Sequence, residues 1–319
     1  MIDILMILAG LVLLFFGGEG LIKGAVSLAR NFGLSKLLVS AVVVGFGTSM
    51  PEMTVSVGAA LKGASDIAIG NIVGSNIANI LLIMGLAAMM YPITVKGEAI
   101  KRDAYVMLGA SLIICGLAMT GVMSFFAGLM MFVALVAYVA WSYHQDRKTG
   151  AKTVANIEED IEGEPQLNIM KAAFYAFAGL ILLIGGAYLL VEGAVSIARG
   201  FGISEAVIGL TIVAVGTSLP ELATSIVAAY KKHSDVIIGN IVGSNIFNIL
   251  AILGITAMIS PIPVAAQIAT YDVWIMLAVA MFLSVYLLRG LTIGRISGLV
   301  MLSAYIIYTA RLYMNSMAV

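Results

Sequence analysis

Ten long apolar runs, separated by short polar joints, dominate the chain. They lie near residues 3–24, 37–60, 67–91, 104–120, 123–143, 170–192, 205–229, 236–260, 271–288 and 296–314. A helix needs about 20 predominantly apolar residues to cross a bilayer. Inside lipid, every backbone N–H and C=O must be satisfied within the protein, which leaves helices and closed barrels. A barrel strand would alternate apolar and polar residues over roughly 10 positions, and these runs do not. Only 11% of the 319 residues are charged and the mean hydropathy is +1.09, too little charge to cover a soluble surface. The expected class is an all-α polytopic membrane protein with ten transmembrane helices.

Orientation follows from lysine and arginine, which favour cytoplasmic loops. With the N-terminus outside, fourteen of the 17 basic residues fall inside. Only Lys62, Arg199 and Arg311 fall outside. The N-terminus has no cationic stretch of the kind that opens a signal peptide, so the first run is expected to stay as a helix. One long polar segment, about 144–169, joins the fifth and sixth runs and is expected to be a solvated cytoplasmic loop. Its acidic cluster, Glu158, Glu159, Asp160, Glu162 and Glu164, lacks the spacing of an EF-hand loop.

The chain also repeats itself. Gly24 to Leu86 aligns without a gap on Gly193 to Ile255, at a constant offset of 169, with 35 of 63 positions identical. Each half holds five runs. Five is odd, so the second half must enter the membrane from the opposite side. The expected architecture is two inverted five-helix repeats, residues 1–143 and 170–319, around a linker at 144–169. Inverted repeats are frequent in secondary transporters, whose substrates bind at the repeat interface near the midplane, although some channels share them.

Each repeat carries a carboxylate where carboxylates are costly. The first copy reads GFGTSMPE, Gly45 to Glu52, followed by GNIVGSNIANI, Gly70 to Ile80; the second reads AVGTSLPE, Ala214 to Glu221, followed by GNIVGSNIFNI, Gly239 to Ile249. Thr48 and Glu52 are four apart and share a helix face, as do Thr217 and Glu221. Pro51 and Pro220 remove an N–H from the helical ladder, and the glycines before them let the backbone leave helical geometry. A proline kink lined by Ser and Thr is common in membrane bundles. It does not explain a glutamate repeated at the same place, since intramembrane carboxylates are functional by default. Carboxylate, hydroxyl, amide and carbonyl oxygens together suit a hard cation. Ser75 with Asn79, and Ser244 with Asn248, are expected to line the same site. Asn71, Asn76, Asn240 and Asn245 are expected to bond between helices, and Gly70, Gly74, Gly239 and Gly243 to allow close packing.

These two motif pairs resemble the alpha-repeats of the calcium/cation antiporter superfamily, and most closely its prokaryotic sodium/calcium exchangers. The resemblance covers nearly the whole chain. It implies exchange of Ca²⁺ for Na⁺ by alternating access in the cell membrane. Position by position, it makes Glu52 and Glu221 the central calcium ligands. Carbonyls near Gly45 and Ala214, with Thr48 and Thr217, would complete the calcium and sodium shells. Ser49, Ser75, Ser218 and Ser244 would line flanking sodium sites, and Asn79 and Asn248 would close the group. The resemblance also makes the first and sixth runs the moving pair; Glu19 and Glu192, in or at the ends of those runs, are expected either to line an ion access route or to face water near the membrane surface. One departure stands out: in that branch one of the positions held here by Asn79 and Asn248 is commonly Asp. With both amides, the fixed charge is −2. One divalent or two monovalent cations balance it, and a third monovalent ion leaves +1.

Two rival readings use the same glutamates. A proton/calcium antiporter would neutralise them with protons. A cation-selective channel would use them as a filter. An enzyme is the weakest reading, because the two histidines, His144 and His233, are expected in polar joints and no HExxH motif is present. No cofactor, nucleic acid or protein partner is expected, only the bilayer and the transported ions. Cys115 is expected to be a small core residue.

Overall fold

The structure is a computed structural model and describes residues 2–94, 97–159, 167–202 and 214–317. It is almost entirely helical. The helices are α1 (Ile2–Phe32), α2 (Lys36–Thr48), α3 (Met50–Leu61), α4 (Ser65–Met90), α5 (Glu98–Ala118), α6 (Phe125–Glu159), α7 (Ile169–Gly200), α8 (Leu219–Tyr230), α9 (Ser234–Ile259), α10 (Ile268–Arg289) and α11 (Arg295–Met317). Six of them are long and apolar enough to cross a membrane, and α2 with α3 forms a seventh candidate bent by 45°. Two further helices coincide with expected runs but are more polar: α5 opens with Glu98, Lys101, Arg102 and Asp103, and α11 carries Arg295 and Arg311. The run expected at 205–229 lies partly outside the described residues.

Burial sorts the helices into a centre and a rim. In the most apolar 18-residue stretch of α9 every residue is buried, against 28% in α1, α6 and α7. The rim helices keep large side chains such as Phe15, Phe16, Phe126 and Phe177 on the outside, as a lipid-facing surface permits. α1 has 31 residues, roughly 46 Å at 1.5 Å per residue, which exceeds a hydrocarbon core of about 30 Å.

α1 and α7 occupy equivalent places in the two sequence copies and pack along a stripe of glycines seven apart. Gly10, Gly17 and Gly24 lie on α1, and Gly179, Gly186 and Gly193 on α7. A Cβ at Gly10 would meet the carbonyl of Gly186 at 2.7 Å, and one at Gly17 the carbonyl of Gly179 at 2.9 Å. A Cβ at Gly193 would meet the carbonyl of Asp3 at 2.6 Å. As one number rises the other falls, so the two helices run antiparallel with their backbones in near contact.

Short polar devices tie the halves and their joints together. Strand β1 (Val122–Met123) pairs antiparallel with β2 (Ile262–Pro263), and an isolated bridge joins Ile93 to Ile293. Asp146 lies in the segment expected to be a loop, yet α6 runs unbroken through it to Glu159. His144 is accordingly helical rather than in a joint. The Asp146 carboxylate accepts from the backbone N–H of Ser35 at 2.9 Å and its hydroxyl at 2.5 Å, and takes Arg102 at 3.6 Å. The residues 160–166, with the rest of the acidic cluster, lie outside the described residues. Cys115 is buried and donates to the carbonyl of Val273.

Gly186→Leu should therefore force α1 and α7 apart. Overpacking of this kind costs about 1–3 kcal/mol and should lower the melting temperature of the purified protein. Gly116→Leu, at an exposed site where nothing described lies within 4 Å, should leave it nearly unchanged.

Candidate functional site

The same local architecture is built twice. In each half a helix is interrupted one turn before the glutamate. Ser49 (φ −83°, ψ 8°) and Ser218 (φ −88°, ψ 8°) leave helical geometry. A fresh helix then starts with Pro51 or Pro220 in its first turn, where a missing N–H is harmless. Glu52 and Glu221 thus sit in first turns, where exposed N–H groups and the helix dipole favour negative charge. Widened π-helical turns lie beside them at Ser40–Gly45, Asn79–Ile83 and Asn248–Leu253, a distortion frequent at functional sites.

The two halves then cross-link through their carboxylates. Ser49 Oγ donates to Glu221 Oε1 at 2.8 Å, and Ser218 Oγ donates to Glu52 Oε1 at 3.0 Å. Both glutamates are fully buried, and among the described residues neither has an ion pair. Each retains a second oxygen, Oε2, with no hydrogen-bond partner. Asn79 Oδ1, Asn248 Oδ1 and Thr217 Oγ1 are also buried and unpartnered; Thr217 lies beside Glu52. Four acceptor oxygens and one hydroxyl of this constellation are therefore left without a hydrogen-bond partner, where burial normally exacts one.

The remaining expected residues gather around this centre. Gly45 packs so closely on the other half that a Cβ would lie 2.8 Å from the backbone nitrogen of Ser244. Its carbonyl accepts from Ser244 Oγ at 3.1 Å and from Thr48 Oγ1 at 3.4 Å. Asn248 Nδ2 donates to Ser75 Oγ at 3.1 Å, again across the halves. Asn79 Nδ2 donates to Asn245 Oδ1 at 3.1 Å. Ala214 begins the short turn Ala214–Gly216 that precedes the break.

The asparagines divide the labour. Asn71 Nδ2 holds the backbone carbonyl of Glu52 at 3.2 Å and Ser56 Oγ at 3.0 Å. Asn240 does the same for Glu221 and Ser225, at 3.2 and 3.0 Å, and its Oδ1 takes Thr48. These two lock each glutamate helix to its neighbour, as expected. Asn245 also bonds across helices, to the Asn76 carbonyl at 3.4 Å. Asn76 differs from expectation: its amide donates to Ile72 of its own helix at 2.7 Å, because that carbonyl lies one turn back and within reach. Gly239 and Gly243 allow close packing against Leu37 and Ala41. The equivalent neighbours of Gly70 and Gly74, at 206 and 210, lie outside the described residues. Ser56 and Ser225 were not singled out from sequence. Their signal was available, since each is four residues after a glutamate and identical in both copies.

Chemically, the constellation offers two carboxylates among neutral oxygens. No group of three or more His, Cys, Asp or Glu occurs among the described residues, so the charge here rests on two carboxylates. Such a set suits a hard cation and offers nothing soft for a transition metal to prefer.

Comparison with known proteins agrees with this chemistry. The sodium/calcium exchanger protein family profile matches residues 2–144 and 171–314. The sodium/calcium exchanger MaX1 of Methanosarcina acetivorans is 30% identical, over 98% of this chain and 99% of its own. The inner membrane protein YrbG of Escherichia coli K12 is 34% identical, over 97% and 96%. Among solved structures, the sodium-calcium exchanger NCX_Mj, soaked with 2.5 mM Na⁺ and 0.1 mM Ca²⁺, superposes with a TM-score of 0.84 at 31% identity, covering 97% of this chain and 98% of that one. The chain belongs to the sodium/calcium exchanger protein family.

Proposed function

We propose that the protein is a secondary active antiporter that exchanges Ca²⁺ for Na⁺ across the cell membrane by alternating access. The observation that carries this reading is the crossed pair of bonds, Ser49 to Glu221 and Ser218 to Glu52, around five unpartnered buried oxygens. Glu52 and Glu221 are the central ligands. Thr48, Thr217, Ser49, Ser218, Ser75, Ser244, Asn79, Asn248 and the carbonyls of Gly45 and Ala214 supply the neutral oxygens. The family relationship, and the names of MaX1 and NCX_Mj, support these two ions as substrates.

The reading includes a topology. Ten spans form two inverted repeats, 1–143 and 170–319, with both termini outside and the 144–169 linker in the cytoplasm. Three contacts support it. The equivalent helices α1 and α7 run antiparallel. The Ile93–Ile293 bridge joins two loops that this topology puts on the cytoplasmic side, and β1–β2 joins two that it puts outside.

Coupling follows from electrostatics. Two buried carboxylates without a counter-charge are poorly tolerated in a low-dielectric interior. The empty site therefore resists the change between outward and inward states, and the loaded site does not. Calcium and sodium compete for the same two charges, so one must leave before the other is fully held. One Ca²⁺ or two Na⁺ neutralise them.

The test is ⁴⁵Ca²⁺ uptake into sodium-loaded proteoliposomes against a sodium-free control at matched pH. Uptake should require the outward sodium gradient, and should fall to the level of protein-free liposomes in Glu52→Gln and in Glu221→Gln. Uptake driven by a pH gradient and indifferent to sodium would replace the reading with proton exchange. Calcium flux with no stoichiometric counter-ion would replace it with a channel.

The two threonines should separate binding from folding. Thr48 donates a buried hydrogen bond to Asn240 and Thr217 does not. Thr48→Val should cost about 0.5–1.5 kcal/mol of stability, more if Asn240 is left unpaired. Thr217→Val should leave thermal stability nearly unchanged and raise the calcium concentration for half-maximal uptake.

A further inference from the structure

A groove of about 440 Å³ opens between α1 and α7, beneath the end of α8 and apart from the glutamate site. Its walls are Phe16, Phe174 and Tyr175, and its charged groups are Lys23, Lys231 and Glu19. Lys23 Nζ stands 4.9 Å from the centre of the Tyr175 ring. Lys231 Nζ pairs with Glu19 Oε1 at 3.1 Å, both side chains partly exposed. Two ammonium groups against one carboxylate leave the groove formally at +1. That sign is wrong for a cation route and right for an anion.

Two glycines form the floor of the groove, where α1 and α7 touch: an added Cβ at Gly20 would lie 3.4 Å from the Gly179 Cα, and one at Gly179 would meet the backbone nitrogen of Leu21. It is no automatic product of the repeat. At the offset of 169, Gly20 corresponds to Leu189 and Lys23 to Glu192. The equivalent place at the other end of the helix pair thus receives a bulky side chain, and with Lys62 matching Lys231 and Tyr188 matching Glu19 it is formally neutral. The volume is that of a small-molecule site. Basic pockets between membrane helices at the cytoplasmic surface suit the headgroups of anionic lipids. In the topology proposed above, Lys23 and Lys231 lie at that surface.

We propose that this groove binds the phosphate headgroup of an anionic phospholipid from the cytoplasmic leaflet. Lys23 and Lys231 hold the phosphate. The aromatic side chains line the first part of an acyl chain, and Gly20 keeps the floor clear of a side chain. Lys231 is shared between the phosphate and Glu19, an exchange made cheap by the low worth of a partly exposed ion pair.

The test is native mass spectrometry of the detergent-purified full chain with added phosphatidylglycerol, phosphatidylcholine or inorganic phosphate. This readout needs neither ion exchange nor membrane orientation, so its failure is distinct from failure of the transport reading. Phosphatidylglycerol should be retained, and phosphatidylcholine and inorganic phosphate should not. The double variant Lys23→Gln/Lys231→Gln should bind it roughly 30-fold more weakly, at about 1 kcal/mol per lysine. Gly20→Leu should also lose it, with both lysines intact. Equal retention of phosphatidylglycerol by either variant would overturn the site. Equal retention of phosphatidylcholine would remove the phosphate charge from the recognition. Binding of inorganic phosphate as tight as that of the lipid would replace it with a free-anion site. Melting temperatures without lipid show whether each variant is folded.

Discussion

Two carboxylates buried without an ion-pair partner are the constraint on which the rest of this structure depends. An ion pair would have offset part of the cost, and among the described residues neither glutamate forms one. Instead the surroundings are neutral oxygens and amides, which orient around a charge without cancelling it. Ser49 and Ser218 each satisfy one oxygen of the opposite glutamate, and Asn71 and Asn240 clamp the backbone from behind. The lattice fixes the positions of Glu52 and Glu221 while leaving one oxygen of each free. In the function proposed above, that free oxygen is what the site holds open for a cation.

The irregular backbone makes that lattice possible. Ser49 keeps its backbone bonds, donating to Gly45 and accepting from Met53, but its ψ of 8° bends the chain at that residue. The break at Ser49 starts a new helix at the glutamate and turns the serine toward the partner half. Pro51 costs little there, because the first turn has no intrahelical use for its N–H. Gly45 permits the backbone of one half to touch that of the other, so its carbonyl meets Ser244. Close approach, broken helix and buried charge are parts of one solution.

Much of this was legible in the sequence, because repetition separates function from accident. A lone Glu52 in an apolar run could be a packing oddity, but the same residue 169 positions on could not. The run limits were less legible. Hydropathy places the end of the first run near 24, whereas α1 continues to Phe32, and α6 continues through charged residues to Glu159. Charge marks where a helix leaves lipid, and a helix need not stop there. The glycines at 10, 17 and 24 were passed over because each looks unremarkable in an apolar helix. Only their spacing of seven, matched on α7, reveals a helix contact. The asparagines show the opposite limit. Asn71 and Asn76 look alike in sequence, yet one spans two helices and the other turns back on its own, since the choice depends on which face meets a neighbour.

The repeat is also where the two halves diverge, and the divergence has a physical direction. Thr48 is tied to Asn240, while its equivalent Thr217 makes no bond to an asparagine and stands beside Glu52. Ser244 donates across the interface to Gly45, while its equivalent Ser75 donates to its own helix and instead accepts from Asn248. Gly45 itself is matched in sequence by Ala214. The inequality lies in the hydroxyls and not in the amides: Asn79 and Asn248, one from each copy, both keep an unpartnered amide oxygen. Perfect symmetry would make the hydroxyls equivalent too. Under the exchange proposed above, an ion held by the unpartnered oxygens need not break a protein hydrogen bond to arrive or leave, whereas one that recruits Thr48 competes with Asn240 for it.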